Sequence, residues 1–427
     1  MSERWSGEQV ERHLRSLELF GMRFGLDRMR RMMTVLELNV ASLPAVHVLG
    51  TNGKSSTTRM TAAILRRHGL RVGAYLSPHL RSYAERIQIE ESDITEAELA
   101  AAVTRAAWAA ERVNRTLAED DHVTQFELLT AAGLWVMSSR AVDVAVVEAG
   151  LGGRYDATSV IEAPVAVLTN VGLEHTRWLG PTVGHIATEK LAAVRDGAEL
   201  VLGAATEETV QQIAREIARE RSITVSIAPS EPRYGKVLAA AAGFQRENFA
   251  LAELAAERWL GAVGLQLRPE AAREAAARTT VPGRAQIFCE DPLTILDGAH
   301  NPHAAEALAR SLRTLFRGRR TALVMGVLED KDAARMLSIL LPHSERAFFT
   351  APPGDRALPP AALQSHARQL GFEAVECHSK PAAALQAAQQ WARREGAGVL
   401  LTGSVYLIGE VMGQAQPRRA RSEQVGG

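Results

Sequence analysis

At 427 residues the chain is long enough for roughly two or three domains, each with its own core. Lys plus Arg is 49 against 49 for Asp plus Glu, so no cationic excess exists to hold nucleic acid or an anionic membrane surface. The apolar share of 46% with 23% charged residues is that of a globular chain, not a disordered one. The opening MSERWSGEQVERH carries charges where a signal peptide needs an apolar run, and no stretch of about 18 uninterrupted apolar residues follows. A soluble, cytoplasmic protein with neither nucleic-acid nor membrane partners is expected. Cys289 and Cys377 lie far apart without metal-ligand spacing, which argues against a disulfide framework or a structural zinc site.

Short β-branched apolar runs alternate with Ala-rich helical stretches, the pattern of an α/β protein with mostly parallel sheets covered by helices. The first part predicts strands at 45 to 50, 142 to 150, 164 to 170 and 198 to 204, and helices near 55 to 68, 97 to 113 and 126 to 138. Their continuous apolar character suits central strands buried on both faces. After Val281-Pro282-Gly283-Arg284 the rhythm restarts: LTILDGAH, TALVMGV, RAFFTAP, FEAVECH and GVLLTGS follow one another, each separated by a helical stretch. That series predicts consecutive βα units of a smaller, Rossmann-like domain. The expected layout is an N-terminal P-loop ATPase domain over 1–285, a C-terminal α/β domain over 286–413, and a frayed tail over 414–427.

AVHVLGTNGKSSTTRMTAAILRRHG, residues 45 to 69, reads as strand, Gly-containing loop and helix. In that setting backbone N–H groups and a helix N-terminus cradle phosphates. The loop is Gly50-Thr51-Asn52-Gly53-Lys54-Ser55-Ser56. Its glycines permit the tight turn, Lys54 can reach terminal phosphates, and the Ser55 hydroxyl is placed for Mg²⁺. Val48 stands where the common P-loop pattern has its first glycine. The bland alternative is a Gly turn before a Ser-capped helix.

GTNGKSS is followed in order by SPHLRSYAERI (77 to 87), TQFELLTAAG (124 to 133), EAGLGGRYDAT (148 to 158), LEHTRWLGPT (173 to 182) and Glu189-Lys190. The second part adds GFQRENFA (243 to 250), VPGR (281 to 284), DGAHNPHA (297 to 304), GVLEDKD (326 to 332) and TGSVYLIGE (402 to 410). Together these segments resemble the folylpolyglutamate synthase/dihydrofolate synthase family, relatives of the Mur peptide ligases. The resemblance implies an enzyme that uses ATP to join L-glutamate to dihydropteroate, to reduced folates, or to both, through an acyl phosphate. Such chemistry depends on positioning and charge neutralisation, for which Lys54 and Mg²⁺ are the expected tools.

The resemblance makes Ser77, Glu148 and His175 the Mg²⁺ ligands, and each falls at a strand end or in the loop beyond. Glu148 closes an otherwise apolar strand, where a carboxylate is costly unless it meets a cation or donor; its plain alternative is a solvated strand-end acid. Imidazole is an unusual ligand for this hard cation, so composition alone does not suggest His175. Glu174 stands where the family usually has Asp. Lys190 reads by itself as a solvated helix-face lysine, whereas the family's matching lysine is carbamylated and anionic. Here Leu191-Ala192-Ala193 replaces the usual Ala-Gly-Ile.

Thr124, Gln125, Phe126 and Glu127 match the family's pterin-side pocket, although T-x-x-E before an apolar helix is also a capping box. Tyr155, Asp156 and Ala157 are the second match on that side. Thr51, Asn52, Gly53, Lys54, Ser55, Asn248, Arg284 and Asp297 match nucleotide contacts drawn from both domains, implying ATP clamped between them. Val281 and Phe244 stand where the family often has Trp and His. Asn301 as N-cap with Pro302 at the first helical position accounts for that pair structurally. That leaves Asp297 and His300 unexplained; the resemblance implies that they, with Ser404, face ATP and the incoming glutamate, and that Lys54, Lys190 and His300 form the catalytic set. A monomer is expected, with small-molecule substrates only. The alternatives are a monofunctional folylpolyglutamate synthase, another Mur-type amide ligase, which the DGAHNP and SPHL segments disfavour, and a P-loop regulatory NTPase.

Overall fold

The structure, a computed structural model, describes residues 5–17, 25–239 and 242–415. The chain divides into two compact units, Met1–Ala239 with Gln245–Thr280, and Ala240–Phe244 with Val281–Gly427. The division follows Thr280, a few residues ahead of the expected 285/286, and Ala242 and Phe244 pack in the second unit's core.

In the first unit the strands are β1 (Ala45–Leu49), β2 (Val72–Tyr75), β3 (Ile87–Ile89), β4 (Ser92–Asp93), β5 (Val144–Glu148), β6 (Val165–Leu168), β7 (Glu199–Leu202) and β8 (Thr224–Ile227). They form one sheet in the order β4-β3-β2-β5-β1-β6-β7-β8. β2, β5, β1, β6, β7 and β8 run parallel, and the β3–β4 hairpin is antiparallel. Every residue of β1, β5 and β6 is buried, as expected for strands covered on both faces. One apolar cluster packs Gly7–Leu17, Asp27–Val35, Glu96–Asn114 and Gln125–Ser139 with Ala45, Tyr75, Ala145 and Val147. A second packs Val183–Leu191 and Glu208–Glu220 with Leu49, Leu168 and Leu202. Lys54–Arg66 lies on β2 and β5.

The second unit has β9 (Gln286–Glu290), β10 (Leu293–Leu296), β11 (Thr321–Met325), β12 (Arg346–Phe349), β13 (Val375–Cys377) and β14 (Gly398–Thr402). Their order is β13-β12-β11-β14-β10-β9, parallel except for β9. All five strands predicted here are present. β9 is an addition: an antiparallel edge strand of mixed exposure, without the apolar run used to find the others. The helix Val405–Ala415 runs past Gly413, and 416–427, most of the expected tail, lie outside the described residues. Among the described residues no helix is long and apolar enough to cross a membrane. Cys289 and Cys377 are free thiols.

Candidate active site

β1 lies between β5 and β6 while the chain leaves it for β2 on the far side of β5. The carboxyl end of β1 is therefore a switch point, where open α/β sheets gather ligands. The loop of 50–53 emerges there and enters Lys54–Arg66. Gly53, at φ 82, occupies left-handed space that other residues enter at a cost. A side chain on Gly50 is excluded, since its Cβ would fall 1.9 Å from Thr169 Oγ1.

The loop is braced from the segment after β6. Thr51 N donates to Asn170 O at 2.9 Å and Asn52 N to Asn170 Oδ1 at 3.0 Å. Thr169 Oγ1 and Asn170 Nδ2 donate back to Asn52 O at 2.6 and 3.1 Å. From sequence Thr169 and Asn170 are only the end of a strand, and the short polar pair closing an apolar run is the available cue. Asn248 adjoins the loop, with Oδ1 2.6 Å from where a Cβ on Gly53 would lie. Lys54 Nζ folds back to Thr51 O at 3.1 Å.

Beside this loop, Ser55 Oγ donates to Glu148 Oε1 at 3.0 Å and Ser77 N to Glu148 Oε2 at 3.0 Å. Glu148 is 1% exposed, so the plain reading of a solvated strand-end acid does not hold. His175 sits in the left-handed region at the start of Thr176–Leu179, exposed, with Nε2 3.9 Å from Glu174. Among the described residues no three His, Cys, Asp or Glu side chains gather at one point. A single carboxylate with serine oxygens fits Mg²⁺, which keeps several waters and takes much of its coordination from substrate phosphates.

Lys190 is not on a solvated helix face. It is buried, and Nζ donates to Gly50 O at 2.8 Å, tying Val183–Leu191 to the phosphate loop. Burial first, and the Lys54 charge second, lower its pKa to about 7, opposed by Glu174, Asp156 and Glu189. A neutral amine of this kind fits carbamylation, because the carbamate retains one N–H for Gly50 O.

The acceptor-side residues form two groups. Thr124 and Glu127 make the full capping box of Gln125–Ser139, and Glu127 also takes Arg28 Nε at 3.0 Å in a buried ion pair. Asp121 holds the same guanidinium at 2.9 Å. Both polar residues are thus occupied structurally, and Arg28 gave no local cue in its helix. Gln125 Nε2 donates to Leu14 O at 2.8 Å and Tyr83 Oη at 3.2 Å. Phe126 lies against the next loop: a Cβ on Gly150 would fall 2.4 Å from its Cζ. In that loop Asp156 is buried with its pKa raised by desolvation, Ala157 is buried, and Tyr155 is 47% exposed.

In the second unit Asp297 and Ser404 follow the paired strands β10 and β14. Asp297 accepts from Ala285 N and Ala299 N, both at 2.8 Å, and desolvation raises its pKa. Arg284 lies against Gly298, with Nη1 2.3 Å from where a Cβ would stand. His300 Nδ1 is 2.8 Å from Gly298 O. Ser404 Oγ accepts from Tyr406 N at 3.2 Å, a helix-cap bond. Asn301 caps Pro302–Leu315, with Pro302 in its first turn.

A family model described as "Mur ligase, glutamate ligase domain" matches residues 283–405. The dihydrofolate synthase/folylpolyglutamate synthase of Escherichia coli (strain K12) is 33% identical, covering 87% of each chain. That of Bacillus subtilis is 31% identical over 92% of this chain and 95% of its own. The chain belongs to the dihydrofolate synthase/folylpolyglutamate synthase family. Mycobacterium tuberculosis folylpolyglutamate synthase complexed with ADP superposes with a TM-score of 0.88 at 29% identity, over 96% of this chain and 98% of that one. E. coli FolC in complex with DHPP and ADP gives 0.83 at 31% identity, over 96% and 98%. As a member of this family of ATP-dependent glutamate ligases, the chain carries the ligase function expected from its motifs.

Proposed function

We propose that this enzyme adds L-glutamate both to dihydropteroate and to reduced folates through an acyl phosphate, as a cytoplasmic monomer. The observation that carries the reading is the braced phosphate loop beside Ser55, Ser77 and Glu148. Thr51, Asn52, Gly53, Lys54 and Ser55 hold the ATP phosphates, with Asn248, Arg284 and Asp297 as further nucleotide contacts. A carboxylate oxygen of the acceptor attacks the γ-phosphorus as its bond to ADP breaks. Lys54 neutralises charge on the transferring group. The neutral amine of glutamate then attacks the acyl carbon, expels phosphate and loses a proton.

Ser77, Glu148 and His175 would hold Mg²⁺, which supplies charge neutralisation to the phosphates. A carbamate on Lys190 would add an anion to that side of the loop. Thr124 to Glu127 and Tyr155 to Ala157 form the acceptor side: Phe126 and Tyr155 offer aromatic faces, and Thr124 and Glu127 keep the helix start in place. His300 and Ser404 are assigned to glutamate, His300 with a catalytic role alongside Lys54 and Lys190. Residues 1–285 act as the ATP-binding domain and 286–413 as the glutamate-ligase domain.

ADP release, measured with glutamate and either dihydropteroate or a reduced folate, tests this. Turnover with both acceptors is expected, strictly dependent on glutamate. Turnover only with the folate reduces the activity to folylpolyglutamate synthesis, and ADP release that ignores glutamate leaves a nucleotide hydrolase.

A further inference from the structure

The strand that delivers the phosphate loop also reaches, through a buried line of hydrogen bonds, the loop assigned to the acceptor. His47 in β1 is 2% exposed, and its Nε2 lies 2.8 Å from Thr158 Oγ1. Thr158 Oγ1 donates to Asp156 Oδ1 at 2.5 Å. Burial lowers the His47 pKa to about 4, so the ring is neutral at ordinary pH. The one hydroxyl proton of Thr158 is directed at Asp156, which leaves its oxygen to accept from an Nε2–H of His47; the tautomer follows from the network. Each donor thus points the same way, from β1 to Asp156.

Asp156 in turn closes its own loop. Thr158 N donates to Oδ1 at 3.0 Å and Leu151 N to Oδ2 at 2.7 Å, so one carboxylate gathers both ends of the segment that displays Tyr155. The opposite side of that segment rests on the helix of Lys190: Arg154 N donates to Glu189 O at 3.0 Å, and a Cβ on Gly153 would stand 2.4 Å from Lys190 O. Lys190 Nζ returns to Gly50 O, three residues beyond His47. The segment is therefore referenced twice to β1 and the loop that leaves it, through His47 in the strand and through Gly50 in the loop.

We propose that His47 and Thr158 are positioning residues for the acceptor substrate: without touching it, they hold Tyr155 and Asp156 in register with the phosphate loop. This rests on the assignment of 155–157 to the acceptor. A core histidine whose only work is packing would contribute stability alike to every substrate interaction, and a line aimed at one loop should not.

The test compares His47→Leu and Thr158→Val, which remove the donor and the hydroxyl at similar volume, with His47→Gln and Thr158→Ser, which retain them. For the full-length enzyme KM is measured for acceptor, ATP and glutamate, with kcat and Tm alongside. Thr158→Val is expected to raise acceptor KM about tenfold while ATP KM stays within twofold, and Thr158→Ser to stay near wild type. His47→Leu is expected to match Thr158→Val, and their combination to cost no more than either alone, because both cut one line. A lowered Tm with acceptor KM unchanged, or with all three KM values rising together, overturns the proposal. Should His47→Leu fail to fold, the Thr158 pair decides it. Tyr155→Ala separates the two layers. If it raises acceptor KM and Thr158→Val does not, the assignment of the loop stands and the positioning role falls; if Tyr155→Ala also leaves acceptor KM unchanged, both fall.

Discussion

Glu148 and Asp297 occupy equivalent places in the two units. Each is a buried acid at the carboxyl edge of a parallel sheet, one closing β5 and the other following β10. They differ in what meets their oxygens. Asp297 is held by two backbone amides, those of Ala285 and Ala299, which cannot turn away without unmaking the chain path. Among the groups that meet Glu148 are one backbone amide and one serine hydroxyl, with the charge of Arg59 acting on it as well. A hydroxyl rotates and can present a lone pair instead of its proton, so Ser55 can release a Glu148 oxygen and itself turn toward a cation. Topological position therefore does not distinguish a brace from a chemical group, and the kind of donor does.

The sharpest break of this comparison is Glu148→Gln. The amide keeps one oxygen for Ser77 N and can donate to Ser55 Oγ, so the fold is expected to persist. Activity should fall on the order of 10²–10³-fold, as for loss of a preorganised electrostatic group. A variant that loses Tm in parallel with activity would make Glu148 a brace like Asp297.

Lys190 comes next. Burial carries its pKa from 10.5 to about 7, and at about 1.4 kcal/mol per pH unit that is several kcal/mol spent on holding an ammonium there at neutral or lower pH. Below about 7 the cost is full, and it fades as the pH rises toward 10.5. Relative to the enzyme with an unmodified Lys190, Lys190→Met should therefore retain or raise Tm near pH 7, even with the bond to Gly50 lost, while turnover falls about 100-fold or more relative to the carbamylated enzyme. Lys190→Arg should not restore activity, because guanidinium stays cationic and forms no carbamate. High-resolution density should carry three extra atoms on Nζ. A bare amine together with full activity in Lys190→Arg would return this lysine to an ordinary structural role.

Much of the centre of this site was legible in the sequence because chemistry and pattern coincide there. Glycines at 50 and 53, Lys54 and Ser55 follow an apolar strand, and Glu148 breaks an apolar run. Four strands of the first sheet, β5, β1, β6 and β7, are legible as continuous apolar runs, while β2 and β8, four residues each, are not. Nor is the β3–β4 hairpin: its two-residue turn is Glu90-Glu91, with φ 56 and 65, a conformation normally marked by Asn-Gly or Asp-Gly. Glu91 is held there by Arg66 and Arg67 at 3.0 and 2.7 Å, partners that tertiary packing supplies and local sequence cannot reveal. Arg28 to Glu127 and His47 to Thr158 are invisible for the same reason, since each joins residues about a hundred positions apart. Without the family resemblance the burial of Lys190 is not legible, because its helix position predicts exposure and only the fold buries it.

Acid should weaken the first unit through His47. Its folded pKa is about 4 against an ordinary 6.5, so the unfolded chain takes up the proton first. The neutral ring contributes its stability fully above about 6.5, and that contribution is lost as the pH falls toward 4, by up to about 3 kcal/mol. Calorimetry of the wild type between pH 7 and 4 against His47→Gln should show the variant with the shallower loss. Equal slopes would mean that the buried ring gains its proton as easily as a solvated one.

Asp297→Asn carries the smallest effect and bears on the other half of the comparison. Asparagine offers one oxygen where Ala285 N and Ala299 N need two, so its NH₂ must face a backbone donor in a buried place. The unmade bond should cost about 1–3 kcal/mol, which for a unit of this size lowers Tm by a few degrees for each kcal/mol. Charge loss by itself should cost little, because burial already pushes this carboxyl above its usual range. Turnover should fall only as far as the nucleotide contact of Asp297 weakens and Arg284 and His300, flanking the braced turn, are displaced. The diagnostic is therefore the ratio of the two losses: a several-degree drop in the second unit's melting transition with turnover reduced about tenfold or less. An unchanged melt with turnover down 100-fold would move Asp297 into the class of Glu148, and the nature of the hydrogen-bond donors would no longer separate the two acids.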